Sequence, residues 1–148
     1  MQQRDPNYGR RQESQGIRTG VRMSAEDEQA WSMIAHLSVL LNLITGLGGP
    51  VAALIIWLVY KDRSQRVAFH ALQSLWYQIA WLVVLAVGWS ITFGLMFVLI
   101  GFLLVPLMLL VSLVPFIHQC YAAYKVYRGV DYRYPIIADV IDGGRRIA

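Results

Sequence analysis

The sequence predicts an all-α fold, a polytopic membrane helix bundle with four transmembrane helices, and three observations carry that expectation. Of its 148 residues 57% are apolar and only 15% are charged, against the roughly 45–50% and 25% usual in soluble domains. No charged residue occurs from Val67 to Tyr124, a run of 58 positions, which is room for two crossings of about 20 residues with a turn between them. The basic residues, finally, flank the apolar stretches and do not interrupt them. A chain of this length makes one domain and leaves little space for a soluble enzyme beside its apolar segments.

Residues 1–23 are rich in Gln, Arg and Gly and contain no apolar run that could serve a signal peptide; a disordered cytoplasmic tail is expected. At Ser24 the pattern changes. Its hydroxyl can cap a helix whose first turn carries Glu26, Asp27 and Glu28, carboxylates that oppose the positive end of the helix dipole. The first helix is therefore placed at 25–46, ending where Gly46, Gly48, Gly49 and Pro50 break the pattern.

A second, short helix follows at 47–60. Val51 to Tyr60 rises only about 15 Å, and starting at Leu47 adds about 6 Å, against a hydrocarbon core of about 30 Å. Whether 47–60 spans fully or turns back stays open. The uncharged run gives a third helix at 69–91, a turn around Thr92 to Gly94, and a fourth helix at 95–127 that Pro106 and Pro115 should bend. The membrane domain is thus 24–128. Residues 129–148 make a cytoplasmic or interfacial tail, in which Tyr134-Pro135 ends regular structure and 136–141 can lie at the interface.

Charge orients the bundle. The 13 Lys and Arg divide as five in the tail, three after Tyr60 (Lys61, Arg63, Arg66) and five at the end, while the two opposite turns carry none. An even crossing puts all three groups on one side, as the positive-inside rule demands, so both termini are expected in the cytoplasm of a prokaryotic cell, with the protein in its plasma (inner) membrane. The net charge of +4 then serves topology, not nucleic acid. The expected partners are the lipid bilayer and other membrane proteins or further copies of this chain. Cys120 is the single cysteine, so an intrachain disulfide is excluded and it should pack as a small apolar residue.

No catalytic constellation is recognised: there is no phosphate loop, His-Glu-x-x-His or Gly-x-Ser-x-Gly. Charged rows of the kind pumps and voltage sensors use are also missing from the spans. His36, His70 and His118 fall within about 10 Å of the cytoplasmic face by helical rise. Their spacing matches no ligand pattern, so neither metal nor cofactor is assigned, and each imidazole is expected to hydrogen-bond across the bundle. His70, Gln73, Ser74, Tyr77 and Gln78 recur three or four apart and form one stripe, and Ser38, Asn42 and Thr45 form another. Such rows suit the bundle interior better than a conduction path. The candidate polar interface is accordingly His36, Asn42, His70, Gln73, Ser74, Tyr77, Gln78 and His118. Gly49 with Ala53, and Ser90 with Gly94, permit close helix approach. Trp31, Trp57, Tyr60, Trp76, Tyr77, Trp89, Tyr121, Tyr124, Tyr127, Tyr132 and Tyr134 read as an interfacial belt.

Several stretches in order, Glu28 to Ser38 (EQAWSMIAHLS), Gly49 to Tyr60, Phe69 to Gln78 (FHALQSLWYQ) and Tyr132 to Pro135 (YRYP), resemble a bacterial family of small four-helix membrane proteins of unknown function. That family is similar to the twenty-kilodalton subunit of the chloroplast inner-envelope protein-import translocon. The motif residues are Trp31, His36, Trp57, His70, Gln73, Tyr132, Arg133, Tyr134 and Pro135. The resemblance implies four crossings with both ends cytoplasmic, and a membrane-embedded part in a larger assembly, related to protein translocation in the chloroplast relative. A nonenzymatic structural or accessory component is the expectation; a small self-associating channel or transporter is the alternative.

Overall fold

The computed structural model describes residues 23–147, with side chains described up to residue 143. The expected tail at 1–23 lies outside the described residues save for its last position. Helix α1 (Ala25–Leu37) starts at Ser24, whose Oγ accepts the Asp27 N–H at 3.0 Å, the cap the sequence proposes. It tightens into a 3-10 turn at Ser38–Leu41 and resumes as a short α2 (Asn42–Thr45). Gly46, at φ 77°, reverses the chain, and α3 (Gly48–Tyr60) runs back.

Ser64 then caps α4 (Gln65–Met96) by accepting the Val67 N–H at 3.2 Å. A turn leads into α5 (Ile100–Tyr127), and α6 (Ile137–Ile147) closes the described chain. The expected break at Thr92 to Gly94 is not there: α4 continues to Met96 and the turn falls at 97–99, with Leu99 in the left-handed region at φ 67°. Gly94 meets open space and can stay helical. Gly101 is the residue the turn needs, because a Cβ on it would collide with the Thr92 carbonyl and the Met96 backbone. α5 runs as one helix through Pro106 and Pro115.

Three contacts fix the relative direction of the helices. Glu28 Oε1 accepts the Ser64 hydroxyl at 2.7 Å, and Gln29 Nε2 donates to the Val126 carbonyl at 3.0 Å and to that of Tyr127. The start of α1, the α3–α4 turn and the end of α5 therefore share one end of the molecule, where Lys61, Arg63, Arg66, Lys125, Arg128 and Arg133 also gather. α1 packs on both α4 and α5, and α3 packs on α4.

The two hairpins differ in reach. Asn42 Nδ2 donates to Gln78 Oε1 at 3.3 Å, so the α2–α3 turn stands only midway along α4. α3, 13 residues long, rises about 20 Å. Beyond Gln78, Thr92 is the single buried residue of α4, and α4 and α5 continue as a bare hairpin. Both are long and apolar enough to cross a membrane, yet only 6% and 11% of their most apolar windows is buried inside the protein. The core helix of a soluble protein would be mostly covered; these helices need a lipid solvent.

Candidate polar site at the charged end

The buried half of α4 meets α1 and α5 through polar side chains. His36, His70, Gln73, Ser74 and Gln119 are each wholly buried and Gln78 nearly so, a composition that survives only if the groups satisfy one another. Ser74 Oγ lies 2.7 Å from the Ala35 carbonyl and 3.0 Å from Gln119 Oε1. Gln78 Nε2 reaches the Ser38 and Ser74 hydroxyls at 3.1 and 3.0 Å. Asn42 joins Gln78 to the neighbouring turn by accepting the Gly49 N–H at 2.8 Å. Thr45, the third member of its row, instead accepts the Gly48 N–H at 2.8 Å and holds the reversal between α2 and α3.

A second set of bonds draws in the segment after α5. Gln73 Oε1 accepts the Tyr134 backbone N–H at 2.8 Å. The Tyr134 hydroxyl is 3.3 Å from His36 Nδ1, His36 Nε2 is 3.1 Å from His70 Nδ1, and His70 Nε2 is 3.3 Å from Asp131 Oδ1, which also accepts Arg66 Nε at 2.7 Å. The carboxylate end sets the polarity of this chain. Asp131 only accepts, so neutral His70 carries its proton on Nε2 and accepts at Nδ1; His36 then donates from Nε2 and accepts at Nδ1 from the Tyr134 hydroxyl. Every proton points toward Asp131. Burial pushes the Asp131 carboxyl up, but the hydrogen bonds from His70 and Arg66 and the Arg66 charge outweigh it and hold the group below its ordinary value. Tyr134, outside the long helices, has its phenol pushed well up by burial.

His118 stands apart from the other two histidines, between Tyr77 Oη and Tyr132 Oη, each at 2.6 Å. The three imidazoles do not converge on one point. Among the described residues no group of three His, Cys, Asp or Glu side chains is placed to hold a metal ion. Ser32 Oγ and Gln119 Nε2 are buried without a hydrogen-bond partner among the described residues.

Six of the candidate interface residues thus join bonds between elements in two neighbouring groups, and His118 with Tyr77 makes a third, linked to them by the stack of Tyr77 on Tyr134. Two aromatic assignments are corrected. Tyr77 and Tyr134 are 7% and 1% exposed; they belong to the core, where Ala122 lies beside them, because their hydroxyls find imidazole partners inside the protein. Tyr121, Tyr124 and Tyr127 are exposed, as a belt requires. The C-terminal segment is also tied to the bundle, through residues 131–142. Tyr134 of the YRYP stretch is buried in the bundle, and α6 buries Ala138 and Ile141 and is tied by Arg133 Nη2 to Asp142 at 2.5 Å. The part played by Asp131 and Arg66 was missed. A charged residue one position before a buried aromatic motif was the available signal.

Bare apolar helices around a buried polar core define a small helical membrane protein. The chain belongs to the Magnetosome magnetite crystal formation protein family, which it matches over residues 27–141. It is similar to a UPF0132 membrane protein of Archaeoglobus fulgidus, 34% identical over 107 residues that cover 72% of this chain and 86% of the relative. No solved structure matches it. Neither match supports a role in protein translocation or the likeness to the chloroplast translocon subunit.

Proposed function

We propose that the protein is a nonenzymatic accessory component of a membrane assembly, acting through helix and surface contacts, with its charged end and both termini in the prokaryotic cytoplasm and its apolar hairpins in the plasma membrane or a membrane derived from it. One observation carries this reading: the polar rows are spent on one another and on the backbone of residues 132–134. A conduction path needs polar groups facing a continuous opening. Here the same groups clamp α1, α4, α5 and the C-terminal segment into a fixed platform, beside which α6 is displayed.

The family's description, magnetosome magnetite crystal formation, and the relative described as a membrane protein support the membrane part of this reading. Extraction of tagged protein at native expression in mild detergent, followed by native mass measurement and identification of every bound chain, tests the proposal. Partner membrane proteins at fixed stoichiometry are expected. A pure homo-oligomer that passes ions in vesicles overturns the proposal in favour of a self-associating channel.

A further inference from the structure

His36 and His70 are the two wholly buried imidazoles of the molecule. The hydrogen bond between them leaves each ring one further nitrogen: His36 Nδ1 faces the Tyr134 hydroxyl and His70 Nε2 faces Asp131. One end of this buried pair comes close to water. An open cleft of about 350 Å³ at the charged end is lined by His70 together with Arg66, Asp131, Arg133 and Asp142, and the Asp131 side chain is 57% exposed.

While the rings stay bonded to each other, the pair can hold two protons or three. In the neutral pair one proton lies between the rings and one points at Asp131, so the only lone pair left for a proton from outside is His36 Nδ1. A third proton therefore always leaves His36 Nδ1 protonated. This is true whichever ring carries the charge, because the proton between the rings can sit on His36 Nε2 or on His70 Nδ1. Tyr134 then accepts from His36 where it had donated, and its own O–H turns away into a core that offers it no other partner among the described residues.

We infer that His36 and His70 form a one-proton switch that couples acidity at the charged end to the seating of Tyr134, and through it to the C-terminal segment. Among the described residues Asp131 is the carboxylate in contact with the pair, and it favours an imidazolium at His70. Arg66, bonded to the same oxygen, opposes it. Arg133 lies over the Phe69 ring with its charge held by Asp142. From α5, His118 and Cys120 face Tyr134; α3 has no charged residue, and its Tyr60 packs on Trp31. The coupling runs both ways. A third proton leaves the buried Tyr134 O–H unpaired, so the seated pair binds that proton less tightly than the unseated pair, and the seat weakens as the pH falls. Lifting Tyr134 away frees His36 Nδ1 and raises the affinity of the pair for a proton.

The full-length protein, labelled with ¹⁵N-histidine in lipid nanodiscs, is titrated from about pH 8 down to the loss of the fold, and the ring nitrogens are followed by NMR. At the start both rings should carry their proton on Nε2. On acidification His36 Nδ1 should become protonated at the same midpoint at which His70 changes, with one proton taken up by the two rings together. Asp131→Asn, a change at an exposed side chain, should lower the proton affinity of the pair about tenfold, and Gln73→Leu, which releases Tyr134, should raise it about tenfold. Titration of His70 with His36 Nδ1 still bare, a midpoint that Asp131→Asn leaves in place, a lower midpoint in Gln73→Leu, or two unchanged rings up to the loss of the fold overturns the inference.

Discussion

The ring of Tyr134 stacks on that of Tyr77, their centroids 4.4 Å apart and their planes 21° from parallel. One ring comes from the longest helix and the other from a segment that follows the last long helix. The contact therefore makes Tyr134 part of the protein's buried core, and the Gln73 side-chain carbonyl fixes it by holding the Tyr134 N–H. The platform proposed for this protein depends on that relationship.

Gln73→Leu should release the segment. It strands the buried Tyr134 N–H, at a cost of about 1–3 kcal/mol, while keeping the volume of the side chain nearly unchanged. Trypsin added to detergent-solubilised protein should cut after Arg133 at least tenfold faster than in the wild type, with the cuts at Lys61 and Arg63 unchanged as the internal control.

Acid should loosen the same region through Asp131. Its folded pKa lies below the ordinary 3.8, so its contribution is complete above that value and fades as the pH falls through the folded value. The side chain is 57% exposed, which makes the effect modest and salt-sensitive. Thermal melts in nanodiscs between pH 6 and 3 should fall more steeply for the wild type than for Asp131→Asn.

Two glycines of the α4–α5 hairpin should respond oppositely to a methyl group. Gly101→Ala drives a Cβ into the backbone of Thr92 and Met96 and should cost about 1–3 kcal/mol. Gly94→Ala meets nothing and should be neutral or slightly stabilising. Melting temperatures of the two variants, measured side by side, check the pair.

Ser32 and Ser74 are both wholly buried, but only Ser74 has partners for its hydroxyl. Ser32→Ala should leave stability unchanged or raise it. Ser74→Ala should lower it by about 1 kcal/mol, the scale of an interhelical hydrogen bond in a membrane protein. Denaturation in a mixed-micelle series separates the two.

Helix-period spacing made the polar rows legible, since Ser38 and Asn42, in the 3-10 turn and the α2 that continue α1, meet Ser74 and Gln78 of α4 as side chains of one face must. Ser24 was legible as a cap for the same local reason. Pairing of the histidines was not: periodicity gives the face of each helix but not the register between helices, so nothing distinguished His70 from His118 as the partner of His36. Gly94 misled because glycine breaks helices by exposing backbone to water, a cost that differs in lipid, whereas Gly101 is required by a tertiary contact that no local pattern announces. Tyr134 misled because a tyrosine near a membrane edge is amphipathic either way, and only the imidazole waiting inside decides its position.

The most direct test of the clamped platform is hydrogen exchange at the Tyr134 amide in lipid nanodiscs. The account predicts protection comparable to that of the Ser74 and Gln78 amides in the centre of the buried half of α4, lost in Gln73→Leu. Exchange in the wild type as fast as that of the amide of Asp131, an exposed residue outside the helices, would show that the C-terminal segment is not held in the bundle and would contradict it.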